Sequence, residues 1–178
     1  MILLIGGSSH TGKTLLAQRL LERLQYPVLS LDHLKMGFIR TGRTDLTVED
    51  DPEMREFLWP FAVEIIKTAV ENDQNLIVEG CYMPSDWPLA FTPEYLEHIR
   101  GVFLVMSERF LREHFNEVCA KANVIEKRLD DHPDLERLIL CSQGFKEDCI
   151  EAGTPYLEID GHFDTEELEE RIVRILGV

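Results

Sequence analysis

The segment Gly7-Ser8-Ser9-His10-Thr11-Gly12-Lys13-Thr14 carries the strongest chemical signal in the chain, because it fits GxxxxGK[ST] at every fixed position. Such a loop binds phosphate mainly through its backbone. Gly7 and Gly12 permit turns that point successive N–H groups into one anion nest. The helix expected to start near Lys13 turns its unpaired N–H groups and its dipole toward the same anion. Lys13 is the group that would reach β- and γ-phosphates, and the Thr14 hydroxyl the one that would ligate Mg2+. Ser8, Ser9, His10, Thr11 and Leu15 complete the candidate nucleotide contacts. His10 sits at a variable position that tolerates many side chains.

Two carboxylates follow apolar runs. Glu79 ends Leu76-Ile77-Val78-Glu79 and resembles a Walker B acid that helps hold Mg2+, although a strand-end acid also serves to cap a loop amide. Gly80 after it has no side chain to block a ligand. Asp32 follows the run Val28–Leu31. Ligands of open α/β sheets sit at these carboxyl ends of strands. Basic residues cluster as well. Lys35, Arg40 and Arg43 crowd into nine residues and are candidates for an anionic acceptor. Arg109 and Arg112 lie one helical turn apart and are candidates for the adenine end of a nucleotide. Lys121, Lys127 and Arg128 come next, with Arg128 the candidate that closes over a transferring phosphoryl group. Each cluster would look the same as a plain solvated face.

These groups need elements to hold them, and the pattern supplies strands alternating with helices. Met1–Ile5 reads as a strand buried on both faces. Leu15, Leu16, Leu20, Leu21 and Leu24 then share a helical face, which Pro27 ends. Val28–Leu31 is the second strand, and the polar stretch from Asp32 to Asp50 reads as a long functional loop or short helices. Asp51-Pro52 opens a helix that turns Phe57, Leu58, Phe61, Ile65, Ile66 and Ala69 inward, with a kink expected at Pro60. Leu76–Gly80 and Val102–Met106 are the third and fourth strands, with a brief helix from Pro93 between them. Ser107 caps a helix carrying Leu111, Phe115, Val118 and Ala122. Another helix runs from about Pro133 to Gly153 with Leu135, Leu138, Ile139, Phe145 and Cys149 inward. Tyr156–Ile159 is the fifth strand. Asp164 and Glu167 then form a capping box, and Phe163 can staple onto Leu168. The expected class is a parallel α/β sheet with helices on both faces.

Composition bounds the rest. The 178 residues suit one domain, 1–178, and their 44% hydrophobic and 29% charged content is ordinary for a globular protein. Acidic residues outnumber basic ones 33 to 18, a formal charge of −15 that repels phosphate backbones and anionic lipid. No nucleic-acid or membrane partner is therefore expected, and no apolar run approaches the ~18 residues that span a bilayer. Met1–Ile5 is too short for a secretory core and has no basic leader. Cys81, Cys119, Cys141 and Cys149 form no CxxC pair, so reduced thiols and a cytoplasmic setting are expected.

The ordered set of phosphate loop, acid after the second strand, Walker-B-like strand, basic segment and final strand Tyr156–Asp160 resembles the nucleoside-monophosphate-kinase-like superfamily of small P-loop kinases. That superfamily includes adenylate, shikimate and gluconate kinases and the zeta toxins. Leu31-Asp32-His33-Leu34-Lys35-Met36-Gly37 looks most like short relatives, some labelled 2-phosphoglycerate kinase. The resemblance implies a P-loop three-layer sandwich with strand order 2-3-1-4-5. It also implies a small helical lid at about 112–135, an acceptor region at about 32–60, and ATP with Mg2+. Neighbouring strands lie ~4.8 Å apart, so that order sets Asp32 roughly 10 Å sideways of the nucleotide strand, where it suits the acceptor better than the metal. The chain departs from adenylate kinase in having no arginine after Gly80 and no lid with several paired arginines. It also lacks the triple-glycine strand end of shikimate kinase.

Three functions follow. The first is transfer of the γ-phosphate of ATP to a small-molecule hydroxyl, with Asp32 orienting the attacking oxygen and the protein a monomer or homodimer. The second is a nucleotide kinase whose acceptor is a phosphate gripped by Arg40 and Arg43. The third is an ATP-binding regulatory switch without turnover; the chain contains no NKxD tetrapeptide, which counts against a guanine-nucleotide switch.

Overall fold

Met1–Ile5 is apolar at every position because the strand it forms is covered on both faces. β1 (Ile2–Gly7) is buried along its whole length, with Leu3 and Ile5 in one hydrophobic cluster and Ile2 and Leu4 in the other. β4 (Ile99–Met106) divides in the same way, Val102, Leu104 and Met106 to one side and Phe103 and Val105 to the other. A computed structural model describes residues 1–49, 51–121 and 133–178. It joins these strands with β2 (Val28–Ser30), β3 (Leu76–Glu79) and β5 (Tyr156–Ile159) in an all-parallel sheet of order β2-β3-β1-β4-β5. This is the three-layer α/β sandwich expected from the order of elements.

α1 (Lys13–Leu24) packs Leu16, Ala17 and Leu20 on one face of the sheet beside α7 (Thr165–Leu176). Glu169 of α7 holds α1 through Arg19 at 2.5 Å and Arg23 at 3.3 Å. α3 (Asp51–Glu71) covers the other face. α5 (Glu108–Lys121) adds Phe110, Leu111 and Val118 to the first cluster, while α6 (Leu135–Ala152) feeds both, Leu138 and Ile139 into the first and Phe145 and Cys149 into the second. A 3-10 turn (Trp87–Ala90) and the short α4 (Pro93–Leu96) lead into β4. Two of the expected caps are seen as hydrogen bonds. Asp164 accepts from the N–H groups of Glu166 and Glu167, and the Ser107 hydroxyl accepts from Phe110 N at 3.0 Å.

Several details differ from the sequence reading. β2 stops at Ser30, and Leu31 opens the short helix α2 (Leu31–Arg40), so of the two alternatives, loop or short helices, a helix takes the first part of the polar stretch. The helical signal was present but spread among polar residues: Leu31 is buried, and Leu34 and Phe38 pack against the same cluster at steps of three and four. β4 begins at Ile99 rather than Val102. The inward face of α3 is Met54, Leu58, Ala62, Val63, Ile66 and Ala69, while Phe61 and Ile65 stay 44% and 39% exposed. Too much of that helix is apolar for periodicity to choose a face, and Phe61 instead meets the rings of Phe38 and Phe57 at 4.8 and 5.4 Å. α3 runs through Pro60 as one helix. The expected lid, about 112–135, is described only at its two ends, and Lys127 and Arg128 lie outside the described residues. No helix among the described residues is long and apolar enough to cross a membrane.

Candidate active site

The loop between β1 and α1 is built from backbone conformations that few residues tolerate. Gly7, His10 and Gly12 have φ of 118°, 65° and 84°. A Cβ on Gly7 would lie 2.0 Å from the Leu104 carbonyl oxygen, so glycine is required by space as well as by φ. Gly7→Ala is expected to cost about 3 kcal/mol or more, read as a lowered denaturant midpoint; an unchanged midpoint would contradict this packing.

Inside the loop the Ser8 carbonyl accepts from the Thr11 hydroxyl at 2.9 Å and from the Lys13 ammonium at 2.5 Å. The Ser8 and Ser142 hydroxyls are 2.6 Å apart, and Ser142 Oγ also accepts from Met106 N at 3.3 Å. Ser142 of α6 thus pins the loop to the end of β4. Ser9 Oγ and His10 Nδ1 are 2.9 Å apart. Gly12 caps α1 in the left-handed conformation, and the first helical bond runs from Leu16 N to Gly12 O. The N–H groups of Lys13, Thr14 and Leu15 precede that bond and have no intrahelical partner. α1 has no acid in its first turn, whereas each of α2 to α7 carries at least one. The positive end of α1 is therefore left for an incoming anion.

Glu79, the last residue of β3, stands in register with Ile5 of β1 and Ser30 of β2 and is 1% exposed. One of its carboxylate oxygens accepts from the Thr14 hydroxyl at 3.2 Å. A hydroxyl and a carboxylate are hard oxygen donors. Among the described residues no group of three or more His, Cys, Asp or Glu could hold a metal. That donor set suits an ion that draws its other ligands from phosphate and water, as Mg2+ does.

A cleft of about 1150 Å³ opens over this region and is lined by Lys13, Thr14, Glu79, Asp32, Lys35 and Arg40. Ser9, His10, Gly12 and Leu15 also line it. Asp32 lies in the first turn of α2, beyond the end of β2. Toward the other end of the phosphate loop the Phe163 ring lies beside Gly12, with Lys121 Nζ 5.3 Å from the ring centre. A second groove of about 870 Å³, lined by Leu34, Phe38, Phe61 and Ile65 among others, contains none of the chemical groups above.

Several expected residues stand elsewhere. Arg43 is exposed and does not line the cleft. Arg109 is taken up outside it by Asp160 at 2.9 Å, and Arg112 by Glu108 at 2.8 Å and Glu136 at 2.9 Å. The Ser107 hydroxyl and then the Arg109 guanidinium hold the Asp160 carboxyl below its usual range. Both arginines expected at the adenine end of a nucleotide are thus engaged in exposed ion pairs with acidic side chains. Gly80 also meets a packing demand. Its φ is 150°, and a Cβ there would lie 2.8 Å from Leu31 Cβ, so glycine allows α2 to approach β3.

Conversely, Tyr82, Asp51, Arg137 and Phe163 line the cleft without having been singled out for it. The Tyr82 hydroxyl accepts from Lys35 Nζ at 2.7 Å and donates to Asp51 Oδ1 at 3.1 Å. Arg137 of α6 reaches Asp51 Oδ2 at 3.3 Å. Burial, then Cys81, Asp32 and Asp51, push the Tyr82 phenol far above its ordinary range, and burial raises the Cys81 thiol to about 11. Both stay protonated at neutral pH. The position of Tyr82, three residues past a strand end, was the available signal.

No protein-family model and no curated protein matches the sequence. Solved structures do match it. A sugar kinase from Janibacter sp. HTCC2649 superposes with TM-score 0.60 at 14% identity, covering 99% of this chain and 94% of that one. Shikimate kinase from Aquifex aeolicus gives 0.54 at 18% identity over 99% and 96%. Deoxyadenosine kinase from M. mycoides gives 0.55 at 14% identity over 99% of each chain. With its strand order and its phosphate loop between β1 and α1, the chain therefore has the fold of the small P-loop, nucleoside-monophosphate-kinase-like kinases.

Proposed function

We propose that this protein is an ATP- and Mg2+-dependent kinase that transfers the γ-phosphate to the hydroxyl of a small-molecule acceptor. The observation that carries the reading is the meeting of three kinds of group in one cleft: the Lys13 ammonium, the Thr14–Glu79 oxygen pair and the Asp32 carboxylate. The free N–H groups of Lys13, Thr14 and Leu15 would hold the β-phosphate. Lys13 would leave the Ser8 carbonyl for the stronger attraction of phosphate oxygens. Thr14 and Glu79 would hold Mg2+, which when bound neutralises charge on the phosphates. Asp32 would accept the hydrogen bond of the acceptor hydroxyl and aim its oxygen at the phosphoryl group. Phosphoryl transfer is loose in its transition state, so this aim weighs more than removal of the proton. Arg40, at the acceptor end, would attract an anionic acceptor. Of the two arginines a phosphate acceptor was expected to use, Arg40 lines the cleft and Arg43 does not, which favours the hydroxyl.

Mg-ATP at 100 times its Kd is expected to stabilise the fold by ~2.7 kcal/mol, with GTP doing less. Thermal denaturation checks this, and no shift with Mg-ATP would remove the reading. A panel of sugars, nucleosides, nucleotides and phosphoglycerates scored for ADP release then identifies the acceptor. A nucleotide as sole active acceptor would overturn the hydroxyl assignment.

A further inference from the structure

Lys35 is 9% exposed, and a buried ammonium is stable only when paired. Its partners are specific. Nζ donates to Asp32 Oδ1 at 2.9 Å and to the Tyr82 hydroxyl at 2.7 Å, and it stands 4.7 Å from the centre of the Tyr82 ring. The phenol passes the contact on to Asp51 Oδ1 at the start of α3, and Arg137 closes the row from α6 on Asp51 Oδ2. Charges therefore alternate across the acceptor end of the cleft: Asp32, Lys35, the Tyr82 dipole, Asp51, Arg137. Both neighbours of Lys35 are groups of the protein, one carboxylate and one phenol kept protonated by burial.

We infer that Lys35 is a positioning residue that acts through Asp32, and is not a grip for an anionic acceptor. The inference rests on the proposed kinase reading, in which Asp32 orients the acceptor hydroxyl. Lys35 lies one helical turn after Asp32 on α2, so the bond is made within one rigid element. It fixes Oδ1 and leaves Oδ2 to receive the hydroxyl. Tyr82 in turn fixes Lys35 from the end of β3, the strand that also supplies Glu79. Acceptor and metal sides of the cleft are thereby held to one strand end. Without Lys35, the Asp32 and Asp51 carboxylates would face each other across one neutral phenol, and Asp32 would turn toward solvent.

The test is a double-mutant cycle on kcat with Mg-ATP and the acceptor found by the panel, using Lys35→Met, Asp32→Asn and both together. Lys35→Met is expected to lower kcat by up to ~100-fold, the scale of a misaimed reactive group, with KM for ATP and the Mg-ATP thermal shift unchanged. In the Asp32→Asn background it should cost less than about 2-fold, because a residue that acts through another has nothing left to position. Tyr82→Phe serves as a second probe should Lys35→Met fail to fold; it should lower kcat by a few fold and lose that effect in the same background. Multiplicative losses in the double variants would overturn the inference. So would a raised KM for the acceptor at unchanged kcat, the signature of direct anion binding. A wild-type protein that shows the Mg-ATP shift yet transfers to no acceptor would overturn the kinase reading itself, a result separable from either of those.

Discussion

Lys13→Ala is expected to lower phosphoryl transfer by at least ~10³-fold while leaving the fold in place, as removal of a charged donor aimed at developing phosphate charge does. The ammonium is buried and donates to the Ser8 carbonyl, which keeps the Thr11 hydroxyl when Lys13 is cut back. Truncation therefore leaves no buried acceptor bare, and the change in stability should stay near ~1 kcal/mol. ADP release and the denaturation midpoint together check this. Turnover within about ten-fold of wild type would contradict the role given to the ammonium. Loss of the fold would contradict the description of the loop as held by Thr11, Ser142 and the glycines.

Asp32→Asn should lower kcat by about 10²–10⁴-fold with Mg-ATP binding intact, the range for loss of a positioned acid–base group. Asparagine keeps the shape and one acceptor oxygen but gives up the charge that Lys35 pairs with at 2.9 Å. Binding should survive because Asp32 stands two strands from the phosphate loop, across β3. Equal losses in kcat and in the Mg-ATP thermal shift would show that Asp32 serves the nucleotide instead. Near-normal turnover would point to a phosphate acceptor, which needs no carboxylate beside it.

What was legible in the sequence is what local chemistry decides. The phosphate loop reads from spacing alone, since Gly7 and Gly12 are demanded by φ, and Gly7 also by the neighbouring Leu104 carbonyl, whatever the remaining residues are. The caps at Ser107, Asp164 and Gly153 are equally local, and the five strands follow from short apolar runs, buried along β1 and partly exposed in the edge strands β2 and β5. What the sequence could not show at the site is mainly partners distant in sequence. Lys35 looked like one of three free cations until Tyr82, 47 residues on, brought a hydroxyl to it. No spacing rule reveals that Asp160 and Glu136 stand opposite Arg109 and Arg112. Nor does any rule reveal that Leu31 stands where a Cβ on Gly80 would lie. Motifs state what a segment can do alone; whether a charge is spent inside the protein is settled by tertiary packing.

The most direct measurement is a crystal structure with Mg2+ and a non-hydrolysable ATP analogue. Expected is the β-phosphate within hydrogen-bond distance of the Lys13, Thr14 and Leu15 amides, with Lys13 Nζ moved from the Ser8 carbonyl onto phosphate oxygens. An analogue seated away from the first turn of α1, or a loop whose amides face away from it, would contradict the account at its root.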